Sequence, residues 1–151
     1  MERYKSFQRE ITKLALDFIA DSGFALAGSG AIREHGLISR PTEDIDLFTA
    51  NTDAKNFEKS VDLIFSGLKS CGYTVNVKQQ AERFVRLEVE KDNLFVNIDL
   101  GVDWRGNKPV VTDIGPVLDI EDAVGNKVAA LFSRSEARDF LDVDRIRASR
   151  L

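Results

Sequence analysis

A short apolar segment followed by a glycine turn is the feature of this sequence that most limits its fold. Residues 24–27 are all apolar and lie between two glycines. Four residues are too few for a helix, so they predict a buried strand. Gly28-Ser29-Gly30 then predicts a turn into a short helix over residues 31–35, and such a turn leaves N–H groups and a hydroxyl for phosphate oxygens. An ordinary strand-to-helix turn remains the alternative.

An acidic pair follows on the next predicted strand, residues 44–49. Residues two apart in a strand share a face, so Asp44 and Asp46 project together while Ile45 and Leu47 point into the core. The two backbone positions lie roughly 6–7 Å apart, and flexible carboxylates can close on hard cations about 3.5–4 Å apart, as in two-metal phosphoryl-transfer sites. Mg²⁺ suits such oxygen ligands. The alternative is a solvated acidic strand edge.

The middle of the chain carries helix and strand patterns in turn. Helices are predicted over residues 5–21 and 53–70, each followed by a glycine that suits a left-handed cap. A hairpin turn at 91–93 predicts that this part of the sheet is antiparallel with one open face. Residues 101–118 contain several Gly and Pro and are predicted to be mostly irregular. The three strands of this region are predicted near residues 73–79, 83–90 and 94–100.

The C-terminal part predicts two helices. Asp119 suits an N-cap for a helix over about 120–134, and a last helix is predicted over about 137–148, with Ile146 available for packing. The whole pattern predicts an α/β (α+β) fold with a mixed sheet of about five strands and helices packed on it. We expect one domain over residues 1–151, with C-terminal helices over about 119–148 and its core over about 24–100.

Composition limits the chemistry and the compartment. The chain is 43% hydrophobic and 30% charged, and no apolar run approaches the roughly 20 residues of a membrane helix. With one cysteine and no apolar signal core at the start, the sequence favours the cytoplasm. The net charge of −4 requires any nucleic-acid contact to use a local basic patch. His35 is the only histidine and is predicted to end a helix, so carboxylates must carry the chemistry.

These motifs resemble a known superfamily. The turn and the acidic pair, in the segments Leu26–His35 and Arg40–Phe48, resemble the signature of the DNA polymerase β nucleotidyltransferases. Further on, Asn126–Arg134 and Arg138–Asp142 resemble the AbiEii-type toxins of abortive-infection, type IV toxin-antitoxin systems. The resemblance covers roughly residues 24–146 and implies a polymerase β-like nucleotidyltransferase fold.

The resemblance implies a third carboxylate beside Asp44 and Asp46, which together hold the metal and are catalytic. Asp99 is the best candidate, since it stands opposite the apolar face of its predicted strand. Glu88 is the substitute if the strand order differs, and a solvated strand face is the alternative for both residues.

Lys127 lies within an apolar helical stripe with Ala123 and Val124. Its ammonium could reach water while the stem covers the core. The resemblance implies instead that Lys127 is catalytic and reaches a triphosphate.

The resemblance also implies a set of nucleotide-binding residues around the site. By helical spacing, Arg134 and Arg138 extend the cationic face of Lys127 if the helix continues past Ser135. The resemblance implies that Asp139 and Asp142 orient Lys127 or the base, with surface ion pairs as the alternative. Trp104 could stack on a base, although a partly buried tryptophan is the favoured interpretation. The implied nucleotide-binding residues are Gly28, Ser29, Gly30, Arg40, Lys127, Arg134, Asp139 and Asp142.

The function implied by the resemblance is transfer of a nucleotide. An enzyme of this kind uses an NTP and Mg²⁺, or Mn²⁺ in its place, and moves an NMP to an acceptor hydroxyl with release of pyrophosphate. The implied acceptor is the 3′ end of tRNA, and the implied role is that of a toxin opposed by a cognate antitoxin. The alternatives are a nucleotidyltransferase that acts on a small molecule or protein, and a nucleotide-binding module without turnover.

Overall fold

The computed structural model describes residues 2–38, 44–133 and 145–146. Its helices are α1 (Glu2–Phe18), α2 (Gly28–Glu34), α3 (Ala54–Ser70) and α4 (Ile120–Ser133). Its strands are β1 (Phe24–Ala27), β2 (Asp44–Thr49), β3 (Thr74–Ala81), β4 (Phe84–Lys91), β5 (Leu94–Val102), β6 (Val110–Thr112) and β7 (Gly115–Val117).

All the described strands form one mixed sheet in the order β3-β4-β5-β2-β1-β7-β6. The β2–β5 and β1–β7 pairs are parallel, and the other neighbouring pairs are antiparallel. The predicted α/β class is confirmed, but the prediction of about five strands is wrong, since this sheet has seven. The two additional strands, β6 and β7, form a hairpin within the segment predicted to be irregular. They are short, and Gly115 and Pro116 hide the strand pattern of β7.

The β4–β5 hairpin fixes a register that matters for the site. Asp92 and Asn93 both have positive φ, at 53° and 66°, as a type I′ turn requires. Lys91 therefore pairs with Leu94, and Arg86 falls opposite Asp99. The antiparallel arrangement predicted for this region is confirmed.

The apolar face of the sheet packs against α1 and α3 in one core cluster. Leu47 and Leu100 are paired across β2 and β5 and are fully buried, so their neighbours along each strand point to the other face. Ile146, predicted to be available for packing, is also buried in this core. The acidic residues of β2 and β5 are thereby held on the face away from it.

Two helix boundaries differ from their predicted positions. α2 begins at Gly28 itself, so the Gly-Ser-Gly segment is its first turn and not a separate loop. α1 ends at Phe18, and Asp21 and Gly23 then adopt left-handed conformations before β1. Asp119 caps α4 as predicted, because its carboxylate accepts a hydrogen bond from the Glu121 N–H at 3.0 Å. None of the helices in the described part of the chain has both the length and the apolarity to cross a bilayer.

Candidate active site

One row of residues crosses four strands on the open face of the sheet. Asp46 on β2 is the register partner of Asp99 on β5, and both are flanked in the same row by Arg86 on β4 and Ala27 on β1. Asp44 lies two residues along β2, opposite Asn97. The parallel β2–β5 pairing therefore brings together the three carboxylates predicted from the sequence.

The start of α2 is built around the Asp46 carboxylate. Gly28 has a φ of +61°, and a Cβ there would lie only 2.1 Å from Asp46 Oδ2. A side chain at position 28 would have to displace that carboxylate, and it would also strain the backbone. The glycine is thus required for Asp46 to sit against the β1–α2 junction.

Lys127 reaches this junction from α4. Its ammonium donates a hydrogen bond to the Ser29 hydroxyl at 2.8 Å, and the residue is only 6% exposed. α2 and α4 pack against each other, which carries the lysine to Ser29 across 98 residues of sequence. The ammonium therefore points inward, so the alternative in which it reaches bulk water is wrong.

Arg86 holds Asp99 from the opposite side. Its guanidinium donates two hydrogen bonds to the Asp99 carboxylate, at 2.7 and 2.9 Å, and Asp99 is 7% exposed. These bonds raise the pKa of Arg86; burial opposes that effect, and the charges of Asp99, Asp44 and Asp46 add to it. The acidic row thus acts as one negative field on this arginine. Arg86 was not predicted as a site residue, although the strand alternation and the hairpin register together would have placed it opposite Asp99.

These residues share one cavity of about 390 Å³. Six of the predicted site residues line it, namely Gly28, Ser29, Asp44, Asp46, Asp99 and Lys127. The other described residues of the lining are Ala27, Phe48, Phe84, Arg86, Asp103 and Asn126. Gly30 does not line it, since a Cβ there would face Leu26 at 3.2 Å. The glycine turn with its serine, a lysine, three carboxylates and two phenylalanines thus meet in a single space.

Comparison with known protein families assigns the chain. Residues 14–150 match the family described as nucleotidyl transferase AbiEii toxin, type IV TA system. The chain belongs to the AbiEii family. This confirms the family that the glycine turn, the acidic pair and the C-terminal motif predicted.

Two solved structures share the fold of this AbiEii chain. JHP933 from Helicobacter pylori matches with a TM-score of 0.66 and 22% identity over 95% of this chain and 65% of that one. An H. pylori protein provisionally named a nucleotidyltransferase matches with a TM-score of 0.64 and 23% identity over 93% of this chain and 64% of its own. This chain therefore spans slightly less than two thirds of the length of both. No curated protein sequence matches it significantly.

The other predicted site residues lie apart from the cavity or outside the described residues. Glu88, the substitute for Asp99, is opposite Asn97 and pairs with Lys78 at 3.6 Å. His35 caps α2, with its Nε2 2.8 Å from the Leu118 carbonyl oxygen, and so ends a helix as predicted. The positions outside the described residues are Arg40, Arg134, Arg138, Asp139 and Asp142.

The donor set of this AbiEii site suits a hard cation in part. Carboxylate oxygens are the ligands that Mg²⁺ prefers, and Asp44 and Asp46 present them on one face, with the Asp46 carboxylate packed against Gly28. Both oxygens of Asp99, however, already accept guanidinium bonds. Among the described residues, no group of three or more His, Cys, Asp or Glu side chains stands ready to enclose a metal ion. Asp99 can join the acidic pair only by sharing or releasing Arg86.

The segment after β5 differs from its prediction. Trp104, predicted to be partly buried, is 78% exposed. The next residue, Arg105, holds the segment in place by donating hydrogen bonds to the Phe48 carbonyl and to Asp103, at 2.8 and 3.1 Å. Burial raises the pKa of Asp103, and the hydrogen bond from Arg105 only partly opposes this. The backbone is therefore anchored by Arg105 and not by the tryptophan.

Proposed function

We propose that this AbiEii chain is a metal-dependent nucleotidyltransferase that moves an NMP from an NTP to an acceptor hydroxyl. The observation that carries the proposal is the single cavity in which Asp44, Asp46 and Asp99 face Ser29 and Lys127. Nucleotidyl transfer needs a metal-binding carboxylate set beside groups that bind a triphosphate. Residues suited to both tasks line this cavity.

Each residue has a role in this reaction. Asp44 and Asp46 would hold Mg²⁺, or Mn²⁺ in its place, and the bound metal would neutralise charge on the triphosphate and on departing pyrophosphate. Ser29 donates a hydrogen bond to a phosphate oxygen, and Lys127 adds a positive charge beside it. Gly28 keeps the backbone close to Asp46.

The transfer step exchanges a phosphoanhydride bond of the NTP for a phosphoester bond to the acceptor. The acceptor hydroxyl oxygen attacks the α-phosphorus, and the bond from that phosphorus to the oxygen bridging to the β-phosphorus breaks. A carboxylate oxygen of Asp99 takes the hydroxyl proton once Arg86 no longer occupies it. Pyrophosphate leaves with the bridging oxygen.

The matched family supports a proposal for the acceptor and for the biological role. We propose that the acceptor is the 3′ end of tRNA and that the chain acts in the cytoplasm as a toxin opposed by a cognate antitoxin, since the matched family is one of type IV toxins. The acidic net charge of −4 favours a small contact confined to the terminal nucleotides. Gly30, Arg40, Arg134, Asp139 and Asp142 stay predicted nucleotide-binding residues.

The test is transfer of label from each α-labelled NTP to total tRNA with Mg²⁺. We expect labelled tRNA with the wild-type chain and a loss of at least a hundredfold with Asp46→Asn, which removes a metal-binding charge at constant shape. Asp62→Asn is the matched control, because Asp62 is exposed on α3.

Each other outcome has a definite meaning. Label on a small molecule or on protein would replace tRNA as the acceptor. Nucleotide binding without transfer to any acceptor would contradict the enzymatic proposal and leave a binding module.

A further inference from the structure

A second row of residues crosses the open face of the sheet beside the acidic row. Phe84 on β4 and Phe48 on β2 are both register partners of Gly101 on β5. Each of the three lies two residues along its strand from Arg86, Asp46 or Asp99, so the two rows share a face. The acidic row is thus bordered by an aromatic one.

Gly101, which has no side chain, leaves room for the Phe48 ring. A Cβ at Gly101 would lie 3.3 Å from Cζ of Phe48, so the Phe48 ring covers the glycine backbone. Phe84 follows on the other side of Gly101, and its ring centroid is 5.9 Å from the Arg86 guanidinium carbon. Together Phe48, Gly101 and Phe84 form what we term the aromatic wall.

The aromatic wall faces the cavity. Both phenylalanines line it, and both are half-buried, whereas Leu47 and Leu100 on the opposite face of the sheet are fully buried. Phe48 also packs against the edge of the core. A half-buried ring beside a charged site offers a π-face that a flat ligand can cover.

Asp103 adds a polar acceptor to the same cavity. Its side chain is about nine-tenths buried, with 10% exposed, and Oδ1 accepts the hydrogen bond from Arg105. Oδ2 is buried and has no hydrogen-bond partner among the residues that the structure describes. A buried acceptor without a donor is costly, so a ligand N–H or O–H that meets Oδ2 after a rotation of the Asp103 side chain would relieve this cost.

We propose that the aromatic wall and Asp103 form a nucleoside subsite, in which a base stacks on Phe84 and Phe48 and a base amine or ribose hydroxyl donates to Asp103 Oδ2. The proposal rests on the proposed function, which supplies the phosphates at the acidic end of the cavity. The nucleoside is either that of the incoming NTP or that of the acceptor's terminal nucleotide, and the chemistry of recognition is the same.

The experiment compares ligands that differ only in the base. Calorimetry with Mg²⁺ measures the affinity of the wild-type chain and of Phe84→Ala for each NTP and for inorganic tripolyphosphate. The acceptor arm compares a short RNA with a 3′-terminal nucleotide against the same RNA with an abasic 3′ end. Phe95→Ala is the matched control, since Phe95 lies on the same face of β5, is 51% exposed and does not line the cavity.

Phe84→Ala should weaken one base-bearing ligand roughly ten- to a hundredfold, in line with base stacking on an aromatic ring, and leave its base-free counterpart within about twofold. A loss of affinity for the NTP assigns the subsite to the incoming nucleotide, and a loss of affinity for the intact RNA assigns it to the acceptor. Phe84→Tyr should keep the affinity. Phe84→Leu, which keeps an apolar side chain without a ring, should show the same selective loss if Phe84→Ala does not fold.

Equal effects on ligands with and without a base, or no effect on either, would overturn the nucleoside subsite. Failure of the proposed function gives a different result. In that case wild type binds NTP more tightly than tripolyphosphate and depends on Phe84, yet transfers no label to any acceptor.

Discussion

Among the residues that the structure describes, the two basic side chains that line the cavity are held in different ways. Arg86 donates twice to the Asp99 carboxylate and is 37% exposed at its side chain, whereas Lys127 donates to the neutral Ser29 hydroxyl and is 6% exposed as a residue. One interaction joins opposite charges, and the other orients a buried cation with a hydroxyl. A ligand that approaches Asp99 must therefore disturb an ion pair, whereas a ligand that approaches Ser29 meets a hydrogen bond between an ammonium and a hydroxyl.

This difference predicts that the Lys127 side of the cavity is already arranged for the substrate and that the Arg86 side is not. On the Lys127 side, Gly28, Ser29 and the ammonium stand beside Asp46. On the Arg86 side, the third carboxylate is neutralised and must exchange its partner before it binds a metal or takes a proton. We expect substitutions on the first side to act mainly on triphosphate binding and transfer, and those on the second to act on metal affinity.

Lys127→Met should have the largest effect. Loss of the charge beside the triphosphate should lower kcat/KM for transfer by about a hundredfold or more, as removal of a fixed transition-state donor does. Label transfer and NTP titration measure it, with Lys108→Met, at an exposed lysine, as the control. Unchanged triphosphate affinity and transfer would mean that Lys127 serves only to pack α4 against α2.

Gly28→Ala tests the backbone on the Lys127 side of the cavity. The added Cβ meets Asp46 Oδ2 and the φ of +61° disfavours alanine, so the free energy of unfolding should fall by about 1–3 kcal/mol. Gly36→Ala is the control, because Gly36 also has a positive φ, +79°, but its Cβ would contact nothing within 4 Å. Equal losses of stability in urea melts would show that the contact with Asp46 costs nothing.

Arg86→Met should release the Asp99 carboxylate. We expect Mn²⁺ to bind several-fold more tightly, since a carboxylate without its guanidinium partner is a better metal ligand. Without metal the variant should lose about 1–2 kcal/mol of stability, less than a fully buried pair because Arg86 is partly exposed. Mn²⁺ calorimetry and urea melts measure both effects, and Arg83→Met, at an exposed arginine, is the control. Unchanged Mn²⁺ affinity would show that Asp99 is not a ligand of the metal.

Asp103→Asn should have the smallest effect, visible in the pH dependence of stability. Because burial raises the pKa of Asp103 in the folded chain, its protonated form favours folding below the unfolded pKa of about 3.9. That contribution is lost as pH rises through the folded value. Relative to Asp103→Asn, the wild-type chain should therefore be less stable at pH 7 than at pH 4. Urea melts across this range measure it, and a flat or opposite trend would refute it.

Local patterns predicted most of the fold and three of the residues in these two contacts, Ser29, Asp99 and Lys127, but neither contact itself. β1 and β2 begin and end as predicted, because glycines and strict alternation mark them. The Arg86–Asp99 pair was missed although it follows from a local hairpin register. The Lys127–Ser29 contact depends on how α4 packs on α2, which no local pattern encodes.

The regions that sequence could not predict have weak local signals. β6 and β7 are only three residues each, and their pairing depends on β1 from a distant part of the chain. Trp104 is exposed because Arg105, and not the tryptophan, anchors its segment. Asp103 is a candidate ligand-binding residue only because its carboxylate is buried, and the composition of the sequence does not reveal that burial.

The most direct test of the account locates the metal. Crystals grown with Mn²⁺ and an NTP analogue that cannot be cleaved between the α- and β-phosphates would be measured at the manganese edge. We expect an anomalous peak bonded to carboxylate oxygens of Asp44 and Asp46 and to the triphosphate. A triphosphate bound with manganese elsewhere, or with no metal on either aspartate, would contradict it.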